Sequence, residues 1–307
     1  MMQKWMTKPM FLYMGLLFCV ICWGSNFIFG TILVNYFQPM EIAFLRLIFI
    51  NLFLFVFLFK SVRNFKSIKT VILSFMLIGF IGVTLNHWTF YASLTKADPV
   101  TAALILATAP ICTSLMNFFV FKEEKSFAFW VWSLLSFIGV ILVILKKGKI
   151  SFGEGEAYIF LTMLTFSIFM IMIERNANKF STSVITFYSS FFGMIFMAGL
   201  LPFAEVNLIR TAPSDIWILL IATAIIMHGI CPVIWNYCIT KVGSTNTSLL
   251  LNLEPFIAMV VGYIVLKESV SVLQFMGSLL ILVSVTMAVQ SNKRYVLRGR
   301  LNKNMSV

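Results

Sequence analysis

Charge is what this sequence lacks. Aspartate, glutamate, lysine and arginine make up 11% of its 307 residues, where a soluble domain carries about 25%. No hydrophilic stretch is long enough to form a water-soluble domain beside the apolar ones. Histidine is scarce too. His87 and His228 are isolated, no HExxH zinc motif occurs, and no base is spaced to activate a serine or cysteine nucleophile. These gaps argue against an enzyme and imply no metal and no cofactor. The five cysteines, Cys19, Cys22, Cys112, Cys231 and Cys238, all fall inside apolar runs. A disulfide framework is therefore not expected, and the CxxC spacing of Cys19 and Cys22 reads as small apolar packing ahead of redox or metal chemistry. Acidic residues number 11 against 23 basic ones, a net charge of +12. That excess alone would suggest nucleic acid, but its distribution along the chain points to a membrane.

What is present is apolar length. Hydrophobic residues make up 60% of the chain and the mean hydropathy is +0.97. Ten runs are long enough to cross a bilayer at about 1.5 Å per residue: roughly 10–34, 40–59, 70–91, 98–121, 126–145, 157–174, 183–204, 215–239, 245–266 and 271–290. The first run follows Lys4 and Lys8 like a signal peptide, yet it is too long and has no small-residue cleavage site. With a cytoplasmic N-terminus, sixteen of the 23 basic residues fall on the cytoplasmic side, six on the other, and Arg46 within a span. This is the positive-inside bias, and an even span count then puts both termini in the cytoplasm. Lys146, Lys147 and Lys149 run against it. The basic stretch in 291–307 reads as a stop-transfer flank beside anionic lipid.

The chain repeats itself. "TAALILATAPICTSLMNFFVFKE" (101–123) aligns with "NTSLLLNLEPFIAMVVGYIVLKE" (246–268) at an offset of 145, with Pro110 on Pro255 and Lys122-Glu123 on Lys267-Glu268. The offset covers five spans, an odd number, so the second copy enters the membrane from the opposite side. Inverted repeats of this kind build secondary transporters, whose site lies between the halves and opens to each face in turn. Pro110 and Pro255 sit near the middle of their spans and are expected to free the carbonyls of Leu106 and Leu251. Broken backbone at that depth is tolerated against protein or a wet cavity.

Several segments resemble the EamA family of the drug/metabolite transporter superfamily: "CWGSNFIFG" (22–30), "EIAFLRLIF" (41–49) and "FYASLTKADPVTAALILATAPICTSL" (90–115) running into Lys122-Glu123. The sixth span departs from the family, with "TFSIF" (165–169) where a tryptophan is common. The resemblance implies an all-α integral membrane protein of ten transmembrane helices in two inverted five-helix repeats. The repeats are placed at 1–149 and 150–290, with a basic cytoplasmic tail at 291–307. It also implies a multi-pass protein of the cell membrane that exports or exchanges small metabolites by alternating access, amino acids being the usual cargo. Carriage of cationic or quaternary amines, and a non-transporting scaffold, are the alternatives. The implied partners are a small-molecule substrate and the lipid bilayer, with a coupling proton and a homodimer as further possibilities and no nucleic acid.

Polar residues inside spans are costly and are therefore candidates for the site. Trp23 and Asn26 lie in span one. Asn86, His87 and Tyr91 lie late in span three, beside Trp88. His228, Trp235 and Asn236 lie in span eight, and Asn252 and Glu254 in span nine. Such a set gives an organic solute flat apolar walls and a few orienting hydrogen bonds. Trp88 and Trp235 also suit an interfacial belt. At 100° per residue Glu254 and Asn252 face opposite ways, so both cannot line one cavity squarely. Glu254 is read either as a ligand for a substrate amino group or as a proton carrier. A structural carboxyl, protonated or paired with His228 or Arg46, is the alternative. Arg46 itself is read as snorkelling to the outer surface.

Overall fold

The computed structural model describes residues 9–63, 68–146, 149–150, 152–177, 179–204, 212–242, 250–267 and 270–305. Among these, ten helices run back and forth. They are α1 (Pro9–Val34), α2 (Pro39–Arg63), α3 (Ile68–Ile78, Gly79–Leu85 and Asn86–Leu94) and α4 (Pro99–Leu106 and Ala109–Phe121). Then come α5 (Phe127–Ile144), α6 (Glu154–Ala177), α7 (Thr182–Leu200) and α8 (Ser214–Thr223, Ala224–Ile230 and Cys231–Val242). The last two are α9 (Glu254–Leu266) and α10 (Val272–Met305). Eight are long and apolar enough to span a bilayer, and Phe127–Val143 and Glu254–Leu266 are shorter apolar helices. The only strands among the described residues, β1 (Leu145–Lys146) and β2 (Lys149–Ile150), form a small antiparallel hairpin after α5. The α10 helix does not stop at the bilayer edge but carries on through the basic tail to Met305.

Local sequence sets where helices begin. Pro39 opens α2, and the Gln38 N–H donates to the Glu41 carboxylate at 2.6 Å. Asp98 caps α4 by accepting from the Val100 N–H and the Thr101 hydroxyl, each at 2.9 Å. Ser271 and Gln274 form a reciprocal capping box at the start of α10. Gln274 also donates to Asp98 at 2.7 Å, tying the starts of α4 and α10 together at one face of the bundle.

Backbone irregularities repeat with the sequence. Gly79–Leu85 in α3 and Ala224–Ile230 in α8 are both π-helical and lie 145 residues apart. Turns at Ala107-Thr108 and Asn252-Leu253 break α4 and α9 at the same offset. Lys122 and Lys267 end the following half-helices in the left-handed conformation. Pro110 and Pro255 are the second residues of those half-helices rather than kinks in a continuous helix. In a first turn the missing N–H had no helical partner to lose, so each proline costs little there.

The copies are inverted. After Lys122, the Ser126 N–H donates to Asn292 toward the C-terminal end of α10. After Lys267, Ser271 caps the N-terminal end of α10. Between these points α10 rises about 30 Å, so the two lysines lie on opposite faces of the bundle. Glu268, Thr245, Thr247 and Ser248 lie outside the described residues. The halves meet through close packing. A Cβ on Gly79 of α3 would stand 2.7 Å from the Ser189 carbonyl of α7, and one on Gly277 of α10 would stand 2.8 Å from the Gly139 carbonyl of α5. Small residues at such crossings let backbones approach where lipid gives no hydrophobic drive. The outward faces carry exposed Val56, Phe57, Phe127, Leu134 and Ile264, suited to lipid.

Candidate functional site

The centre of the site is Arg46, which does not snorkel. It lies seven residues into α2, about 10 Å by helical rise, and is fully buried. Its guanidinium turns inward across the boundary between the halves. Nη1 donates to the Thr223 hydroxyl at 2.6 Å. Nη2 faces the Thr223 carbonyl at 3.2 Å, the Asn26 amide oxygen at 3.3 Å and the His228 Nδ1 at 2.9 Å. The Tyr91 ring centroid lies 5.7 Å from the guanidinium carbon. Every acceptor is neutral, and Nε is buried without a partner.

Two histidines join this cluster, their rings 5.5 Å apart. An arginine only donates, so the His228 Nδ1 accepts and its proton sits on Nε2. The His87 Nδ1 donates to the Val83 carbonyl at 2.9 Å, which leaves the His87 Nε2 as an acceptor, buried and unpaired.

The π-helical segment of α8 makes a second group possible. In an α-helix the Cys231 N–H would bond the Met227 carbonyl; here it reaches the Ile226 carbonyl instead. The Met227 carbonyl then accepts the Trp23 indole N–H at 2.7 Å. The Trp23 and Trp235 rings pair at 5.0 Å, and α9 lies alongside. A Cβ on Gly24 would stand 2.7 Å from the Glu254 carbonyl. The Glu254 side chain is half-buried and forms no hydrogen bond or ion pair among the described residues, so neither Arg46 nor His228 partners it.

The sequence candidates therefore separate. Asn26, His87, Tyr91 and His228 gather around Arg46, and Trp23 and Trp235 form the aromatic layer near Glu254. Asn86 points elsewhere, donating to the Thr162 carbonyl at 2.9 Å and the Thr165 hydroxyl at 3.1 Å on α6. Asn252, in the turn before α9, donates to Thr286 of α10 at 2.7 Å, so its amide is spent on a neighbouring helix. Asn236 lies on α8 with its side chain outside the described residues. Arg46 and Thr223 are the residues that sequence reasoning left out of the site. The signal for Arg46 was its place in "EIAFLRLIF", too deep for an easy exit to the surface.

A cavity of about 180 Å³ opens at the loop end of α2, lined by Gln38, Pro39, Met40, Trp88 and Ala204. At the same face Lys96 pairs with Glu154, whose carboxylate raises the lysine above its ordinary value. Among the described residues no cluster of histidine, cysteine or carboxylate side chains is arranged to hold a metal ion. All five cysteines are free, and the Cys19 thiol donates to the Cys231 carbonyl at 3.4 Å.

The sequence pattern of the EamA-like transporter family matches residues 10–145 and again 153–290. The chain belongs to the EamA-like transporter family. Among its relatives is the uncharacterized transporter YyaM of Bacillus subtilis (strain 168), 24% identical over 289 residues that cover 92% of this chain and 94% of that protein. The S-adenosylmethionine uptake transporter of Rickettsia felis is 26% identical over 169 residues, 54% of this chain and 56% of that protein. A crystal structure with a TM-score of 0.64 and 17% identity covers 91% of this chain and 97% of its own, and shares the fold. This EamA-like chain is thus a multi-pass membrane transporter and not an enzyme, with a small-molecule substrate and the bilayer as its partners.

Proposed function

We propose that this EamA-like transporter is a secondary carrier that moves small organic metabolites by alternating access, with an amino acid or related metabolite exported. The observation that carries this reading is the Arg46 cluster. Asn26, Arg46, His87 and Tyr91 come from the first repeat, while Thr223 and His228 come from the second. A polar group shared by two inverted halves changes whenever they rock against each other, which is what a carrier's site must do. The charge asymmetry supports a reading with both termini in the cytoplasm, and Glu254 is the residue proposed to bind a cationic group or carry a coupling proton.

A second reading, carriage of organic cations, draws on different features. The Trp23–Trp235 pair offers aromatic faces to a cation, and the unpaired Glu254 offers it a counter-charge. The relatives named as S-adenosylmethionine uptake transporters also support it, since that solute is an organic cation carrying an amino-acid group.

Counterflow in proteoliposomes tests both. Protein loaded with an unlabelled amino acid should take up the labelled one with saturation and trans-stimulation, and a panel of quaternary amines should show the same if the second reading holds. Linear, unsaturable flux would make the chain a channel. A chain that moves no member of either panel yet captures a protein partner would be a scaffold.

A further inference from the structure

Arg46 and His87 each leave one buried ring or guanidinium nitrogen without a partner among the described residues, and the two gaps are chemically different. The Arg46 Nε can only donate. The His87 Nε2, with the proton held at Nδ1 by the Val83 carbonyl, can only accept. Both belong to one cluster, since His228 bonds Arg46 at 2.9 Å and its ring lies tilted beside that of His87, with centroids 5.5 Å apart. Around them stand neutral acceptors and no carboxylate within ion-pair distance among the described residues. A fully buried cation held only by neutral groups lacks its best partner, because charge-assisted bonds to a carboxylate are shorter and about twice as strong.

We propose that Arg46 binds the carboxylate of the transported solute and that the His87 Nε2 accepts from an amino or hydroxyl group beside it. The ligand class is therefore a small amino or hydroxy acid. The proposal rests on the carrier reading above and adds the residues that select the cargo. A guanidinium matches a planar carboxylate by geometry as well as charge. A phosphate brings more charge and more acceptor oxygens than this single cationic side chain answers.

The site as it stands is closed. Thr223 and His228 of α8 occupy the guanidinium from the second repeat, while Asn26 reaches it from α1 of the first. Separation of α8 from α2 releases the donors that Thr223 and His228 hold, and a carboxylate takes the same donors. Solute and closed interface therefore compete for one set of hydrogen bonds, which couples binding to the parting of the halves. At the 145-residue offset of the π-helical segments Val83 stands where His228 would recur, so the first half has no histidine at that place. This chemistry is present in one copy only.

The test uses the full-length protein in nanodiscs and a panel of L-amino acids. Each acid is paired with its primary amide and with the matching acid that lacks the amino group. Thermal shift and counterflow are both read. The free acid should bind the wild type about tenfold or more tightly than its amide. Arg46→Lys, which keeps the charge but loses the fork, should erase most of that preference. His87→Phe should keep the preference for acid over amide and lose the preference for amino acid over deaminated acid. Acid and amide binding alike to the wild type would overturn the proposal without any variant. Stabilisation by inorganic phosphate in place of the acids would overturn the ligand class. Counterflow of quaternary amines with no response to any acid would leave the carrier reading standing and remove this one. Silence to every compound would remove both.

Discussion

Lys122 and Lys267 adopt the same left-handed backbone, with φ of 56° and 59°, and are the two non-glycine residues with positive φ among those described. They stand 145 residues apart, each closes a half-helix that begins at mid-span, and they lie at opposite faces of the bundle. A side chain in this conformation costs about 1 kcal/mol, and glycine usually takes the position. Lys122→Gly and Lys267→Gly should each raise the thermal unfolding midpoint in detergent, whereas the β-branched Lys267→Val should lower it. A fall with glycine would mean that the lysine side chains make contacts worth more than the backbone strain.

The same two positions report topology. In a variant with its native cysteines replaced, Lys122→Cys should react with an impermeant maleimide only from the cytoplasmic side and Lys267→Cys only from the opposite side. Labelling of both from one side would contradict the inverted packing of α4 and α9.

Trp23 should matter twice over. Its indole N–H holds the Met227 carbonyl that the π-helical turn of α8 leaves free, and its ring packs on Trp235. Trp23→Phe keeps the ring and removes the hydrogen bond, so it should cost about 1 kcal/mol of stability. Trp23→Ala should cost more and should reduce transport while the protein still reaches the membrane. Normal exchange by Trp23→Ala would make the residue a packing element alone.

The architecture was readable because its signals were strong and local. Apolar run length gave the spans, and Pro110 with Pro255 gave the repeat, since an identical proline at matched depth marks an identical backbone event. The π-helical segments were not readable. "GFIGVTL" and "AIIMHGI" take the same backbone form with little in common, and each packs on the second helix of the other half, α7 for the first and α2 for the second. Direction was the second thing sequence withheld. Arg46 had a depth but no facing, and only the fold turned it from the surface toward Thr223. Asn86 and Asn252 looked like site residues because a buried amide needs partners, but the spacing could not say whether those partners were solute or helix. Thr162, Thr165 and Thr286 supply them.

Glu254 carries the sharpest expectation. It is the first residue of a half-helix, and a carboxylate there gains from the positive end of the helix dipole. The inverted repeat places Ala109 at the equivalent position, so only one half carries the acid. Asn252, in the turn before α9, is taken up by Thr286, while Glu254 has no hydrogen-bond or ion-pair partner among the described residues. A carboxyl at this depth without a protein partner persists if it is hydrated, protonated or joined by a ligand. Two roles follow, and they part under one substitution. If Glu254 binds the cationic group of a solute, Glu254→Gln should weaken affinity about tenfold wherever the wild-type carboxyl is ionised, the loss of one charge-assisted bond. If it carries a coupling proton, Glu254→Gln should abolish uptake driven by a pH gradient in proteoliposomes. Solute exchange, which needs no net proton movement, should then survive. The measurement is counterflow beside gradient-driven uptake, both read across pH. Wild-type affinity together with wild-type pH dependence in Glu254→Gln would leave the residue with its structural part alone, as the acidic first residue of a helix that starts in mid-membrane.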